Sequence, residues 1–88
     1  MISRTVARFW RLYGQLPIEV RQAARNAYQR FASDPAHPSL QFHRLRRDPR
    51  LWSARVTSNY RAVGIPLGDT ITWIWIGSHD DFDRAFPK

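Results

Sequence analysis

Apolar residues recur at helical spacing through the first third of the chain and at alternating spacing after it, so a helical part precedes a stranded part. Val6, Phe9, Trp10, Tyr13 and Leu16 mark one face of a first helix over residues 5–15, with 2–4 as a short strand before it. Pro17 suits the first turn of a second helix, in which Ile18, Val20, Ala23, Ala24, Ala27, Tyr28 and Phe31 carry the pattern to residue 32. So short a link implies an antiparallel helical hairpin, and its outer face is rich in arginine.

Ser33-Asp34-Pro35-Ala36-His37-Pro38 ends the second helix, because neither proline nor a residue before proline continues one. Beyond it Leu40 and Phe42 point one way and Gln41 and His43 the other, which predicts a strand over 40–46. A turn at 46–50 leads to a strand hairpin, 51–57 and 60–65, about Ser58-Asn59. A second turn, Pro66-Leu67-Gly68-Asp69, leads to a last strand over 70–77. Ile71, Trp73 and Trp75 alternate with Ile74 and Ile76 there, so this strand is apolar on both faces and belongs inside the sheet. Ser78 followed by Asp81 has the form of a capping box and opens a short helix to residue 86. Two helices, three or four mainly antiparallel strands and a short terminal helix make an α+β layer fold.

Eighty-eight residues suffice for one domain over 1–88 with a single small core. The absence of cysteine excludes disulfides and thiolate chemistry. Three scattered histidines and an isolated Glu19 lack metal-ligand spacing, so neither metal nor cofactor is expected. The longest apolar run, residues 71–76, is too short to span a bilayer and the N-terminus has no signal-like segment, so no membrane role and a cytoplasmic location are expected.

Charge changes the picture more. Fourteen basic residues face seven acidic ones, a net charge of +7, and every basic residue but Lys88 is arginine. The planar guanidinium matches phosphate geometry, which points to a nucleic acid or an acidic protein as partner. Arg4, Arg8, Arg11, Arg21, Arg25 and Arg30 crowd the first third, whereas Asp80, Asp81 and Asp83 cluster near the end.

Arg55 and Arg61 flank the hairpin turn. With a two-residue loop at Ser58-Asn59 they face apart; one residue more and they share a face. His79 follows Gly77-Ser78 at the end of the last strand, where a rigid base holds a side chain able to move a proton. Arg55, Arg61 and His79 are therefore the candidate catalytic set. His43, with Arg44, Arg46, Arg47 and Arg50, forms a basic run suited to nucleic-acid phosphates, while His37, between prolines, reads as structural.

Leu16-Pro17-Ile18-Glu19-Val20, the run HPSLQFHRL at 37–45, Trp52-Ser53-Ala54-Arg55-Val56 with Tyr60-Arg61, and the terminal WIWIGSHDDF together resemble the RelE/ParE superfamily, the toxins of type II toxin–antitoxin pairs. The resemblance extends over nearly the whole length and looks closest to a ParE-like branch. It implies two helices on a curved antiparallel sheet and one of two activities: metal-independent cleavage of mRNA on the ribosome, or non-enzymatic inhibition of DNA gyrase. Either is held in check by a cognate antitoxin, and a relative that only binds its antitoxin is a third outcome. Arg61 matches the family's Tyr-Arg phosphate contact, Arg55 a preceding strand arginine and His79 a C-terminal basic position. The chain departs from the family where strand lysines become Trp52 and Ala54, a carboxylate base falls at Ser39, and the late tyrosine becomes Phe82.

Overall fold

The computed structural model describes residues 1–87, beginning with strand β1 (Ile2–Thr5) and helices α1 (Ala7–Gly14) and α2 (Ile18–Ser33). Strands β2 (His43–Arg44), β3 (Trp52–Arg55), β4 (Tyr60–Leu67) and β5 (Thr70–Ser78) follow, then helix α3 (His79–Ala85). One sheet has the order β1-β5-β4-β3-β2, with β1 parallel to β5 and every other pair antiparallel. The α+β class and the mainly antiparallel sheet agree with the sequence reading, and β1 supplies a fifth strand. Trp73 helps to fix this edge, its Nε1–H donating to Ser3 Oγ at 3.2 Å.

The long helices cover one face of the sheet. Val20, Ala27 and Phe31 form the buried stripe of α2, and Phe31 packs with Leu40, Ala54, Ala62, Ile71, Trp73 and Ile76. A second cluster, Leu45, Leu51, Val63, Trp75 and Phe82, lies on the other face beneath α3. Phe82 seals it from above. Such two-sided cover is what the apolar character of β5 requires.

Three local expectations differ from the structure. Instead of one strand over 40–46 there is a 3-10 turn, Pro38–Leu40, then Gln41 in the left-handed region (φ 44°), and only His43 and Arg44 pair with β3. Proline starts the turn, and the left-handed residue interrupts the extended backbone. Pro66 and Leu67 lie in β4 rather than in a turn, so the reversal narrows to Gly68-Asp69, with Gly68 at φ 63°. Pro66 is tolerated because β3 pairs only as far as Gly64, leaving that edge of β4 with no partner for the missing N–H. Finally, Trp73 and Trp75 do not share a face. Val63 pairs with Trp75 and Gly64 with Trp73, so Ile74 is the extra residue of a bulge, and the two indoles enter different clusters.

Gly64 occupies the tightest point. A Cβ there would lie 2.8 Å from the Ile71 side chain and 2.9 Å from the Trp73 ring. Gly64→Ala is therefore expected to destabilise the fold by about 1–3 kcal/mol, the range for overpacking a close-packed core. Urea denaturation monitored by tryptophan fluorescence measures this, and an unchanged midpoint would mean that the core yields.

Candidate active site

The sheet face opposite the long helices carries the predicted chemistry. Ala54, Val56 and Ala62 pack in the cluster under α2, so the residues alternating with them, Arg55 and Arg61, project to the other side. They are direct register partners across β3 and β4. The turn explains how. Val56 and Thr57 N–H both donate to the Tyr60 carbonyl, so a two-residue Ser58-Asn59 loop coexists with a bulge whose extra residue shifts the parity.

Arg61 faces Gly77 on β5, and Tyr60 faces Ser78. One step further the His79 N–H donates to the Asn59 carbonyl at 2.9 Å, tying the start of α3 to the β3–β4 turn. Ser78 caps α3, its Oγ accepting from Asp81 N–H at 3.1 Å, as the sequence predicted. His79 is thus held at the strand end next to the Arg61 row. Among the described residues its ring makes no hydrogen bond.

α3 then returns Phe82 over the sheet. The Arg61 guanidinium carbon lies 4.7 Å from the Phe82 ring centroid and that of Arg47 4.9 Å, so two cations use one aromatic ring. Arg47 is committed further: it donates to the Phe86 carbonyl at the end of α3 and lies 3.9 Å from Asp83. It fastens the helix. Arg61 differs, because its Nε–H is buried without a partner. Burial lowers its pKa from the ordinary arginine value, nearby Asp83 opposes that shift, and Arg47 adds to it. A desolvated donor without a protein acceptor favours an anionic oxygen of a ligand.

The other basic candidates are dispersed. Arg50 is exposed and makes a bidentate pair with Asp48 at 2.8 and 3.0 Å, which holds the Asp48 carboxyl below its usual range. Arg44 and Arg46 are exposed. His43 pairs with Ser53, on the arginine face, and its Nδ1 lies 2.6 Å from the Gln41 carbonyl oxygen. His37 Nδ1 accepts from Ser39 N–H and Ser39 Oγ, so it caps the 3-10 turn. The sequence reading missed Phe82 as the support for Arg61 and Asp83 as its acidic neighbour; the adjacent Phe82-Asp83 pair was visible, but not what it touches. Among the described residues no cluster of three His, Asp or Glu forms, and no helix is long and apolar enough to cross a membrane.

The family model for the ParE-like toxin domain matches residues 19–84. The chain belongs to this family. The matched segment contains both arginines, His79 and Phe82. No curated protein matches the sequence. Among solved structures, RelE in the RelB–RelE antitoxin–toxin complex of Methanococcus jannaschii is 15% identical, with TM-score 0.77, covering 96% of this chain and 99% of that one. A YoeB/ParE toxin from Agrobacterium tumefaciens is 18% identical, with TM-score 0.70 over 90% and 99% of the two chains. The RelBE2 toxin–antitoxin complex of Mycobacterium tuberculosis matches at 20% identity and TM-score 0.70, over 89% and 96%. The fold is that of RelE/ParE-type toxins.

Proposed function

We propose that this ParE-like toxin domain cuts mRNA on the ribosome without a metal, by transesterification at one phosphodiester. The observation that carries this reading is Arg61: a guanidinium over the Phe82 ring, its Nε unpartnered, with Arg55 opposite and His79 at the adjoining strand end. Arg61 and Arg55 stabilise charge developing on the phosphoryl oxygens, and His79 protonates the leaving 5′ oxygen. Beside His43, the arginines Arg44, Arg46, Arg47 and Arg50 add positive charge, Arg44 and Arg46 most freely because both are exposed and, among the described residues, neither makes an ion pair.

The partner that restrains it is a cognate antitoxin. RelE of Methanococcus jannaschii was solved with one. In this chain an apolar groove of about 630 Å³ opens between the two long helices and the sheet, lined by Phe9, Trp10, Tyr13 and Tyr28. Trp10 and Tyr28 are 54% and 53% exposed, and Arg25 lies beside them. An acidic amphipathic segment suits both the groove and its charge.

Inhibition of DNA gyrase is the second reading, favoured by the match to a ParE-like model and by the exposed arginines Arg8, Arg25 and Arg30 of α1 and α2. Expression of the chain alone, with protein and DNA synthesis followed separately, separates the two. Ribosomal cleavage predicts that translation stops first and that His79→Ala lowers mRNA cleavage about 100-fold. Early arrest of replication, with supercoiling inhibited in vitro and Arg8 or Arg25 changes outweighing His79→Ala, overturns the nuclease reading.

A further inference from the structure

We infer that His43 is the general base for the attacking 2′-hydroxyl, and that the left-handed backbone at Gln41 sets the tautomer it needs. This rests on the nuclease reading. A carbonyl oxygen only accepts, so the 2.6 Å contact between His43 Nδ1 and the Gln41 carbonyl puts a hydrogen on Nδ1. The neutral imidazole then carries its lone pair on Nε2, the nitrogen away from its own backbone.

That lone pair is on the correct side of the sheet. Phe42 packs under α2 and Leu45 beneath α3, while His43 pairs with Ser53 between them in the alternation. Arg55 is two residues beyond Ser53, a diagonal neighbour of His43 at about 7–8 Å, and Arg61 is directly opposite Arg55 at about 5 Å. His43, Arg55 and Arg61 thus form an oblique line across β2, β3 and β4. A nucleotide laid along it meets the base at one end and the phosphate-binding guanidinium at the other. The ring of His43 is exposed and open to substrate.

Gln41 supplies the orientation. It is the one non-glycine residue with positive φ among the described residues (φ 44°, ψ 44°), a conformation that costs a side chain of this kind energy. It turns the Gln41 carbonyl toward the ring two residues later. The contrast with His37 is direct: its Nδ1 accepts from the Ser39 N–H, which requires the hydrogen on Nε2. Two nearby histidines are therefore set as opposite tautomers by their own backbones.

In the reaction the 2′ O–H bond breaks and its proton passes to His43 Nε2, while the oxygen lone pair forms the new bond to phosphorus. The P–O5′ bond breaks, and its electron pair leaves on O5′, which takes a proton from His79. The products are a 2′,3′-cyclic phosphate and a 5′-hydroxyl, with no redox change.

Nitrogen-15 NMR of the neutral imidazoles in the free protein tests the tautomer without any substrate. His43 should be the Nδ1–H form and His37 the Nε2–H form; an Nε2–H form at His43 overturns the proposal. Gln41→Val, whose branched side chain resists positive φ, should lose the Nδ1–H bias and at least tenfold in single-turnover cleavage of ribosome-bound mRNA, and Gln41→Gly should restore both. His43→Ala should slow that cleavage about 100-fold while ribosome binding holds. A normal rate in His43→Ala, with Arg61→Ala inactive, sinks the base assignment and leaves the nuclease reading standing. No cleavage by the wild-type chain sinks both.

Discussion

Arg61→Ala is expected to lower single-turnover mRNA cleavage by about 100- to 1000-fold without lowering thermal stability. The rate loss is that of removing one preorganised donor aimed at developing negative charge, about 3–4 kcal/mol. The stability expectation follows from the same burial that prepares the side chain. Its Nε–H has no protein partner, and desolvation pushes the guanidinium pKa down. A base whose pKa is depressed on folding holds its proton less tightly than in the unfolded chain. The folded state therefore bears that cost at every pH below the folded pKa, which includes the whole working range, and is relieved of it only above that value. Alanine removes the cost together with the contact of the guanidinium on the Phe82 ring. Arg61→Met, which keeps the stem, should be at least as stable as the wild type and just as inactive. Arg61→Lys, a point charge without the flat stacking surface, should fall between. Cleavage on purified ribosomes and a melting curve decide the matter. Wild-type cleavage by either uncharged variant refutes the phosphate role, and a large loss of stability in both would recast Arg61 as a structural residue.

What the sequence revealed and what it hid divide along the range of the interactions. The helices were legible because their buried stripe, Val20, Ala27 and Phe31 in α2, repeats within one element. The cap of α3 was legible because Ser78 and Asp81 act over one turn. Strand parity was not. It depends on two single-residue bulges, at Val56-Thr57 and at Ile74, whose side chains give no warning, since valine, threonine and isoleucine are ordinary strand residues. One bulge puts Arg55 on the Arg61 face, and the other sends Trp73 and Trp75 to opposite clusters. β1 was visible as a strand, but its parallel pairing with β5 joins residues about seventy positions apart, which local pattern does not encode. The site has the same character. Arg61 was identified by its motif, yet its surroundings are made by Arg47 from the β2–β3 loop and by Phe82 and Asp83 from α3. Only the return of α3 over the sheet assembles them.

Phe82 is where the fold and the site meet, and Phe82→Ala should have the largest effect on stability. The ring is 3% exposed and packs against Trp75 and Phe86 at centroid distances of 5.9 and 5.3 Å. Truncating such a phenylalanine costs about 3–5 kcal/mol, at least about a fifth of the roughly 5–15 kcal/mol that holds a small domain together. In a chain of this size the melting temperature should fall by more than about 12 °C. Activity will fall as well, but from unfolding as much as from chemistry, so alanine alone does not isolate the role of the ring. Phe82→Leu does. Leucine keeps most of the apolar volume at a cost of about 1.5 kcal/mol or less, but it has no π face for the guanidiniums of Arg47 and Arg61. If the ring fixes Arg61 over the reacting phosphate, Phe82→Leu will melt well above Phe82→Ala and stay folded at the assay temperature, yet cleave about tenfold more slowly than the wild type, the loss lying in the rate at saturating ribosomes rather than in binding. A leucine variant with the wild-type rate would reduce Phe82 to a core residue, and Arg61 would then owe its position to the β4 backbone alone.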